Sequence, residues 1–287
     1  MTIILIGKNG LLGQDILTEL QNSKLPFKAY SKQDCDITSL KEIQEKLSNN
    51  LNIKTIINCA AYTKVDLAEK NKKEATLINE IGTKNLAKYA KSIQATLIHF
   101  STDYVFNGTK KTPYKETDIT DPINTYGKTK CNAEKHLSTY LPNNHYCFRI
   151  QWLFGKNKEN FITSITKKAI QKTPLNIIND QWGSPTWTKD IATTILSIIK
   201  KPIPYGCYHL RNEGITNWYN YAKYICKIQN LSTSIKAIKT ENYKTPAKRP
   251  LNSKLNNKKL KKQSYILPDW KTAVKLFIEN EKNSDCI

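Results

Sequence analysis

Short apolar, β-branched segments alternate with longer amphipathic segments through the first part of the chain. The first strand is predicted at TIILIG (2–7), and a helix follows at GLLGQDILTELQNS (10–23). Strands that are separated by helices pair in parallel, because a parallel pair needs a crossover connection. The pattern predicts an α/β fold, a Rossmann-type doubly wound parallel sheet. Its later elements are predicted as strands at 27–31, 54–60 and 95–102, and as helices at 39–50 and 66–92.

The pattern loosens after about residue 155, where seven prolines separate short apolar pieces. YCFRIQWLFG (146–155) is predicted as one later strand. We expect the rest to form a smaller, mixed C-terminal substrate-binding lobe. The predicted division gives residues 1–155 with about 184–203 to a nucleotide-binding Rossmann domain, and about 156–183 with 204–287 to the lobe.

A glycine-rich loop, GKNGLLG, follows the first strand directly and opens the first helix. In a βαβ unit such a loop permits a tight turn at Gly7, close approach of a phosphate at Gly10 and close helix–strand packing at Gly13. A pyrophosphate would then lie on the helix N-terminus. The G-x-x-G-x-x-G spacing is typical of short-chain dehydrogenases. We therefore predict a dinucleotide site that also includes Leu11 and Leu12.

The end of the second strand indicates which coenzyme is bound. Dehydrogenases that prefer NAD carry an acid there for the ribose 2′-hydroxyl. Here the strand ends AYSKQ, with Ser31 and Lys32 and no acid before Asp34. Lys32 suits a 2′-phosphate, so NADPH is predicted over NADH, with the use of NADH left open. The other predicted coenzyme contacts are Asp36 and Ile37 under the adenine, and Ala60, Ala61, Tyr62 and Thr63 along the phosphate–ribose edge.

Tyr126 and Lys130 are four residues apart in NTYGKTKCNAEKHL (124–137), a polar stretch that favours a helix. Residues at this spacing share a helix face, so the phenol and the ammonium are predicted to face one pocket. The cation is expected to lower the pKa of Tyr126, and the lysine can also hold the nicotinamide ribose. Thr102, at the end of a strand in STDYVFNG (101–108), is predicted to donate to a substrate carbonyl. Together these groups indicate a carbonyl reduction.

Beyond these motifs, the chain resembles the dTDP-4-dehydrorhamnose reductases, extended short-chain dehydrogenases of nucleotide-sugar metabolism. The resemblance covers essentially the whole chain. Its most diagnostic runs are RIQWLFGKNKENFI, DQWGSPTWTKDIA, GCYHLRNEGITNWYNYA and PAKRPLNSKLNNKKL. It implies NAD(P)H-dependent reduction of the 4-keto group of dTDP-4-dehydro-6-deoxy-L-mannose to dTDP-L-rhamnose. The expected partner is thus a dTDP-sugar, and a homodimer is consistent with the family.

The resemblance also implies roles for individual residues. Tyr126 matches the family's proton donor and Lys130 matches its partner. Contacts with the sugar are implied for Val65, Thr102, Asp103, Tyr104 and Trp152, and contacts with the nucleotide diphosphate for Asn160 and Arg249.

A metal site is a further feature of some family members, which hold Mg²⁺ at a dimer interface through acidic side chains. The matching positions here are Asp15, where a glutamate is usual, and Asp190. The shorter side chain of Asp15 weighs against this metal. The chain also has Ile150, Gln151 and Phe154 where the family has Thr, Ser and Tyr. These departures leave the exact sugar open.

Two alternatives compete with a reductase. One is a nucleotide-sugar epimerase or dehydratase on the same scaffold, although dehydratases tend to carry an acid pair at the strand end and STD supplies only Asp103. The other is a non-catalytic NADP-binding regulatory subunit. The glycine loop, Tyr126 and Lys130 favour an enzyme over that subunit.

The net charge of +21 raises the question of nucleic-acid binding. Of the 45 basic residues, however, 42 are lysines spread through the chain, whereas phosphate-binding surfaces favour arginine. We therefore predict no nucleic-acid partner. No apolar run is long enough for a membrane span, and the start lacks the features of a signal peptide. We accordingly predict no membrane insertion and a cytoplasmic location.

The remaining cysteine, tryptophan and histidine residues are predicted to have packing roles. The seven cysteines have irregular spacing and no C-x-x-C pair, which favours reduced thiols at positions 35, 59, 131, 147, 207, 226 and 286. His99 is predicted to pack within its strand. The tryptophans predicted to pack within the lobe are Trp182, Trp187, Trp218 and Trp270.

Overall fold

A parallel β-sheet lies at the centre of the computed structural model, which describes residues 2–48, 52–156 and 158–284. With strands numbered along the chain, it contains β1 (Thr2–Ile6), β2 (Phe27–Tyr30), β3 (Ile53–Asn58), β4 (Thr96–Thr102), β5 (His145–Ile150) and β10 (Gly206–His209). The order of the six strands is β10-β5-β4-β3-β1-β2, and every neighbouring pair is parallel. This confirms the predicted α/β, doubly wound sheet.

Helices cover both faces of the sheet. On one face α1 (Leu11–Asn22) packs beside α8 (Thr188–Lys200). On the other face lie α2 (Leu40–Ser48), α5 (Gly82–Ser92) and α6 (Thr125–Tyr140). The predicted helical region 66–92 is divided into α3 (Val65–Lys70), α4 (Lys72–Thr76), a π-helical turn (Leu77–Ile81) and α5. The last residues of the predicted helix 39–50 lie outside the described ranges.

The first strand shows why this sheet is apolar on both faces. Ile3 and Leu5 join the core on the α1 and α8 side, whereas Ile4 and Ile6 join the core on the α2 and α5 side. Successive side chains of a strand point to opposite faces, so a strand that is covered on both sides needs a continuous apolar run.

A smaller, mixed lobe follows the sheet, as predicted. Its described helices are α7 (Phe161–Ile170), α9 (Trp218–Ile228) and α11 (Trp270–Ser284). The short helix α10 (Lys258–Lys261) instead packs against β10, and its Leu260 joins the core of the sheet. Three short strand pairs accompany the helices of the lobe: β6 (Leu153–Phe154) with β9 (Thr186–Trp187), β7 (Leu175–Ile178) with β12 (Ile235–Ile238), and β8 (Trp182–Gly183) with β11 (Thr216–Asn217). The core of the lobe is rich in aromatic side chains, among them Phe154, Trp187, Tyr221, Trp270 and Phe277.

Two predictions differ from the structure. The predicted strand 146–155 is broken, because Trp152 has a left-handed φ of 46° between β5 and β6. The segment 204–287 was assigned to the lobe, yet β10 within it pairs with β5 in the central sheet. A strand of only four residues gives too little periodicity for recognition from sequence.

Two further features are the state of the cysteines and the lengths of the helices. The six cysteines in the described ranges are free thiols, and Cys286 lies outside those ranges. Within the same ranges, no helix combines the length and the apolar composition needed to cross a membrane.

Candidate active site

Two adjoining cavities lie at the carboxyl ends of the parallel strands, near the position where the strand order reverses between β1 and β3. Ligands bind at such reversal points in open α/β sheets. The first cavity, which we call the glycine-loop cavity, has a volume of about 330 Å³. The second, which we call the tyrosine cavity, has a volume of about 400 Å³. Five residues are common to the linings of the two cavities: Gly10, Cys59, Ala60, Ala61 and Lys158.

The glycine loop has the geometry that the sequence predicts. Gly7 has a φ of 82°, and a Cβ there would lie 2.6 Å from the backbone nitrogen of Ala60. A Cβ at Gly13 would lie 2.1 Å from the carbonyl oxygen of Gly7, so Gly13 lets helix α1 pack closely against the loop. The predicted coenzyme residues that line the glycine-loop cavity are Gly7, Gly10, Ser31, Lys32, Asp36, Ile37, Ala60 and Ala61.

An acidic residue, Asp34, follows β2, and its carboxylate is already paired within the protein. Asp34 accepts hydrogen bonds from Lys8 Nζ and from the backbone N–H of Ser31, each at 2.8 Å. The hydrogen bond from Lys8 holds the pKa of Asp34 well below its usual range. Lys32 lines the cavity beside them. Lys32 therefore supplies a cation at this edge of the cavity, and the nearby carboxylate of Asp34 is already paired with Lys8.

The tyrosine cavity gathers the predicted catalytic and sugar-contacting residues. One wall comes from the glycine loop and the end of β3, and another from the ends of β4 and β5 and the start of α6. The predicted residues that line it are Gly10, Leu11, Leu12, Ala60, Ala61, Thr63, Val65, Thr102, Asp103, Tyr104, Tyr126, Lys130 and Trp152.

The start of helix α6 fixes the position of Tyr126. Asn124 caps the helix, since its side-chain oxygen accepts the backbone N–H of Gly127 at 2.8 Å. Its amide nitrogen donates to the carbonyl oxygen of Lys248 at 2.8 Å, which ties the helix start to the C-terminal part of the chain. A Cβ at Gly127 would lie 2.2 Å from the carbonyl oxygen of Tyr104. Only glycine lets α6 approach this turn so closely.

The pKa of the Tyr126 phenol is raised, whereas the sequence analysis predicted that it would be lowered. Burial and the carboxylate of Asp103 raise its pKa, and a hydrogen bond with Thr102 offsets part of that effect. The expected lowering is wrong because burial, the largest effect, and Asp103 outweigh it. The amine of Lys130 lies 3.0 Å from His99 Nε2. A phenol with a raised pKa remains a proton donor at neutral pH.

Lys130 is buried, with only 2% of its surface exposed. Burial lowers its pKa to about 8. His99 is fully buried beside it, and its Nδ1 lies 3.2 Å from the amide nitrogen of Asn58. His99 therefore packs in its strand as predicted, but it also contacts Lys130. The apolar neighbours of His99 in the sequence gave no sign of that contact.

Thr102 is the last residue of strand β4 and Asp103 begins the 3-10 turn that follows, and both line the tyrosine cavity. The hydroxyl of Thr102 donates to Asp103 Oδ1 at 3.0 Å and accepts the backbone N–H of Tyr104 at 3.2 Å. Burial raises the pKa of Asp103 to about 7, although hydrogen bonds from Ser253 and Thr102 act in the opposite direction. The Oδ2 atom of Asp103 has no partner of good hydrogen-bond geometry among the described residues.

Trp152 forms an aromatic wall of the cavity together with Trp218. Their rings stack with centroids 3.7 Å apart, and a Cβ at Gly183 would lie 2.5 Å from the Trp152 ring. Trp218, which was predicted only to pack in the lobe, also lines the tyrosine cavity. Trp152 and Trp218 are far apart in the sequence, so the residues around Trp218 gave no indication that it lines the cavity.

Gln151 and Lys158 are among the polar lining residues that the sequence analysis did not assign. Gln151 is 2% exposed, and neither atom of its side-chain amide has a partner among the described residues. The sequence has Gln151 where the family has Ser, and this difference could have identified Gln151 as a residue of the site. Lys158 lines both cavities, so its cation is available to a ligand in either one.

Four of the predicted contacts lie outside the described linings of both cavities. Gly13 packs against the loop, and Tyr62 is held by Asn79, whose oxygen accepts the backbone N–H of Tyr62 at 2.7 Å. Asn160 caps helix α7 and donates to the carbonyl oxygen of Gly155 at 2.9 Å, so its side chain is already used.

Arg249, the fourth, forms a two-pronged ion pair with Asp66 of helix α3. The two N–O distances are 3.0 and 2.7 Å. The backbone N–H of Ala247 donates to the same carboxylate at 3.1 Å. Both Val65 and Tyr104, which adjoin this pair, line the tyrosine cavity. Arg249 thus lies next to residues that line the tyrosine cavity, and its guanidinium is used in the ion pair with Asp66.

The two predicted Mg²⁺ ligands, Asp15 and Asp190, are each hydrogen-bonded to another side chain. Asp15 accepts a hydrogen bond from the hydroxyl of Thr188, and Asp190 accepts one from the amide of Asn212 at 2.6 Å. Burial raises the pKa of each carboxyl, which disfavours the charged form that a metal needs. Within the described ranges, neither belongs to a group of three potential ligand residues. The structure gives no support for this metal site.

Comparison with known proteins gives consistent similarities. The family model described as the RmlD substrate binding domain matches residues 1–283. The chain is 36% identical to a dTDP-4-dehydrorhamnose reductase from Salmonella typhimurium, over 96% of each chain. It is similar to a crystal structure of a dTDP-4-dehydrorhamnose reductase from Clostridium acetobutylicum, with 34% identity, a TM-score of 0.94 and coverage of 98% and 100%. The corresponding Bacillus anthracis structure, a complex with NADP, has 32% identity, a TM-score of 0.93 and coverage of 97% and 99%.

Proposed function

Because this chain belongs to the RmlD substrate binding domain family, we propose that it reduces the 4-keto group of dTDP-4-dehydro-6-deoxy-L-mannose with NADPH, giving dTDP-L-rhamnose. One observation carries the chemistry of this proposal. Tyr126, Lys130 and Thr102 face one cavity, and that cavity adjoins the glycine-loop cavity. A proton donor and a dinucleotide site are thus neighbours.

The glycine-loop cavity suits the adenine and phosphate parts of the coenzyme. The backbone of Gly7 and Gly10 allows a pyrophosphate to approach the start of α1. Lys32 suits a 2′-phosphate, and Asp34 is occupied by Lys8, which favours NADPH over NADH. When bound, the coenzyme supplies the hydride. Lys130, which lines the adjoining tyrosine cavity, suits the nicotinamide ribose hydroxyls.

Tyr126 is the proton donor in this proposal. Its raised pKa keeps the phenol protonated until a stronger base forms beside it. The alkoxide that develops at the sugar oxygen is such a base, so the proton passes from the phenol oxygen to that oxygen. Thr102 contributes a second hydroxyl next to the phenol, which can stabilise the developing negative charge.

The acidic residues of the cavity favour reduction over dehydration. Asp103 is the one Asp or Glu among the described residues that line the tyrosine cavity. Elimination of water needs an acid and a base in addition to the tyrosine, and the cavity offers a single carboxyl. A purely regulatory role does not require Tyr126 and Lys130 in one cavity with Thr102, so their joint position also supports catalysis.

The experiment is a coupled assay that follows the oxidation of NADPH. The 4-keto sugar nucleotide is made in situ from dTDP-glucose, and NADH is compared with NADPH in the same assay. We expect turnover with a higher kcat/KM for NADPH. Tyr126→Phe is expected to lower kcat about 100-fold or more while the Kd of NADPH is retained, because the change removes only the hydroxyl.

Three results would contradict the proposal. Full turnover by Tyr126→Phe would exclude Tyr126 as the proton donor. An equal kcat/KM for NADH would exclude the role of Lys32. NADPH binding without any turnover of the sugar nucleotide would instead favour the regulatory subunit. A matched control is Tyr140→Phe, which removes the same hydroxyl from the far end of α6 and should leave kcat unchanged.

A further inference from the structure

His99 and Lys130 form a buried pair that the sequence analysis did not anticipate. His99 Nε2 lies 3.0 Å from Lys130 Nζ, and the two side chains are 0% and 2% exposed. At this depth solvent cannot rearrange the hydrogens, so the other contacts of the pair decide which atom donates.

Asn58 decides the tautomer of His99. Its Oδ1 lies 3.1 Å from the backbone nitrogen of Ala60, which can only donate, so this atom must be the oxygen. The amide nitrogen then faces Thr83 Oγ1 at 3.4 Å and His99 Nδ1 at 3.2 Å. Thr83 donates its own hydrogen to the carbonyl oxygen of Asn79 at 2.7 Å and is free to accept. The Asn58 amide therefore donates to His99 Nδ1.

An Nδ1 that accepts a hydrogen bond carries no hydrogen. A neutral imidazole has one N–H, which must then be on Nε2 and must point at Lys130. Burial lowers the pKa of His99 well below its usual value, which keeps the ring neutral. An ammonium has three donors and no lone pair, so it cannot accept this N–H. The hydrogen bond is complete only when Lys130 is a neutral amine.

We infer that His99 is a positioning residue, which holds Lys130 as a hydrogen-bond acceptor and makes the charge of Lys130 conditional on the tautomer of His99. To gain a proton, Lys130 must leave His99 or the ring must change tautomer. A charged Lys130 that leaves His99 can turn towards Tyr126 and the coenzyme ribose. The part of this inference that concerns the coenzyme rests on the proposed function.

The surrounding groups leave His99 as the deciding partner. Burial raises the pKa of the Cys59 thiol, and a hydrogen bond with Cys207 together with burial raises that of Cys147, so both thiols remain neutral. Arg149 binds both oxygens of Glu134, at 3.0 and 2.6 Å. Among the described residues, His145 also acts on His99, and Tyr126 lines the tyrosine cavity together with Lys130.

The tautomer can be measured directly in the intact protein. The chain has four histidines, and ¹⁵N-labelled histidine gives separate NMR signals for protonated and unprotonated ring nitrogens. The His99 signals are assigned by their loss in His99→Gln. We expect a neutral ring with its hydrogen on Nε2. A hydrogen on Nδ1, or a doubly protonated ring at neutral pH, would overturn the inference.

The coupling to Lys130 is tested by the pH dependence of NADPH binding, followed by fluorescence. In His99→Gln the new amide can rotate its oxygen towards Lys130 and accept from an ammonium. NADPH binding should then persist to a pH about one unit higher than in the wild type. Asn58→Asp should shift binding in the same direction, because a carboxylate draws the hydrogen of His99 to Nδ1.

The matched control is His145→Gln. His145 is also buried on the sheet, but its Nδ1 contacts the carbonyl oxygen of Leu141 at 2.6 Å instead of a lysine. Its midpoint should equal that of the wild type. Equal midpoints in all variants would overturn the inference. Neither measurement uses the sugar nucleotide, so a protein without reductase activity can still pass both, and a failed tautomer test leaves the reductase proposal standing.

Discussion

The side-chain amide of Gln151 is buried at the edge of the tyrosine cavity without a hydrogen-bond partner among the described residues. A buried amide without partners costs on the order of 1–3 kcal/mol. Such a cost is expected in a binding site, where the ligand supplies the partners. We interpret Gln151 as a contact to the sugar.

Gln151→Met should raise stability and weaken substrate binding. The thioether keeps the volume of the side chain but removes both polar atoms, so we expect about 1 kcal/mol more stability and a KM for the sugar nucleotide about tenfold higher. Thermal unfolding and steady-state kinetics measure the two effects. Gln181→Met is the control and should lose stability, because Gln181 is buried and donates to Thr240 Oγ1 at 3.2 Å. A less stable Gln151→Met protein with an unchanged KM would contradict the interpretation.

Asp103 should make stability depend on pH. Its pKa is raised from 3.8 to about 7, so the folded state binds a proton that the unfolded state has released. Between those pH values the wild type therefore loses stability as pH rises, on the order of 2–4 kcal/mol in total. Asp103→Asn has no such proton to lose.

The measurement compares the unfolding free energies of the wild type and Asp103→Asn from pH 4 to pH 8. The stability of the variant relative to the wild type should increase up to about pH 7 and then stay constant. A difference that does not change with pH would show that the carboxyl of Asp103 ionises normally in the folded protein.

At the residue scale, spacing predicted which catalytic groups meet but not their electrostatics. Tyr126, Lys130 and Thr102 line one cavity, as the sequence analysis expected. The predicted lowering of the pKa of Tyr126 was wrong because burial and the carboxylate of Asp103 raise it. The contact of Lys130 with His99, far away in sequence, was also missed. Hydrogen-bond partners across strands are set by register, which a single sequence does not give.

Helix α6 is the element on which the proposed chemistry depends. Gly127 follows Tyr126 directly, within the turn that separates Tyr126 from Lys130, and its backbone N–H binds the cap residue Asn124. Gly127→Ala would place a methyl group 2.2 Å from the Tyr104 carbonyl oxygen, so the helix start must move. We expect a loss of about 1–3 kcal/mol in stability and a kcat about tenfold lower, because the phenol moves with the backbone.

The control for this change is Ala133→Gly on the same helix. Ala133 is fully buried and lies outside both cavity linings. The added glycine and the lost methyl group should cost about 1–2 kcal/mol without moving the helix start. We expect its kcat to equal that of the wild type, as measured by NADPH oxidation. If both variants lose kcat equally, stability alone explains the effect of Gly127→Ala.

Elements with strong periodicity were predictable and irregular ones were not. The first four strands and their helices agree with the sequence to within a few residues at each end. The break at Trp152 was missed because its left-handed φ is accommodated by Gly183, about thirty residues away, whose lack of a side chain makes room for the ring. Local propensity favours a continued strand at this position.

The Asp66–Arg249 ion pair joins the two parts of the molecule. Asp66 belongs to helix α3 beside the sheet, and Arg249 comes from the C-terminal part of the chain. The hydrogen bond from Arg249 lowers the pKa of Asp66 below 3.8. Its stabilisation is therefore present above that pH and is lost as pH falls through the lowered value.

A double-mutant cycle with Asp66→Asn and Arg249→Gln should give a coupling free energy of about 0.5–1.5 kcal/mol at neutral pH, because the geometry is two-pronged but the pair is half-exposed. Urea unfolding of the four proteins measures it, and added salt should reduce it. The control cycle uses Lys275 and Glu279, an exposed i,i+4 pair at 3.9 Å within α11, where coupling should be smaller. Equal couplings would mean that the Asp66–Arg249 bridge has no special weight.

The arrangement of the whole molecule could be predicted only in outline. Alternation of strands and helices predicted the parallel sheet, and the loss of that alternation predicted the second lobe. The return of the chain to the sheet at β10 was missed, since pairing with β5 is a long-range contact. Arg249, expected to meet a diphosphate, is paired instead with Asp66.

The wall shared by the two cavities has a consequence for how this protein can diversify. Gly10, Cys59, Ala60, Ala61 and Lys158 border both spaces, so a substitution at any of them changes the surroundings of two ligands at once. Selection for a different sugar is therefore expected to act on residues that line the tyrosine cavity alone. Gln151 and Trp218 are two such residues, and changes there leave the lining of the glycine-loop cavity as it is.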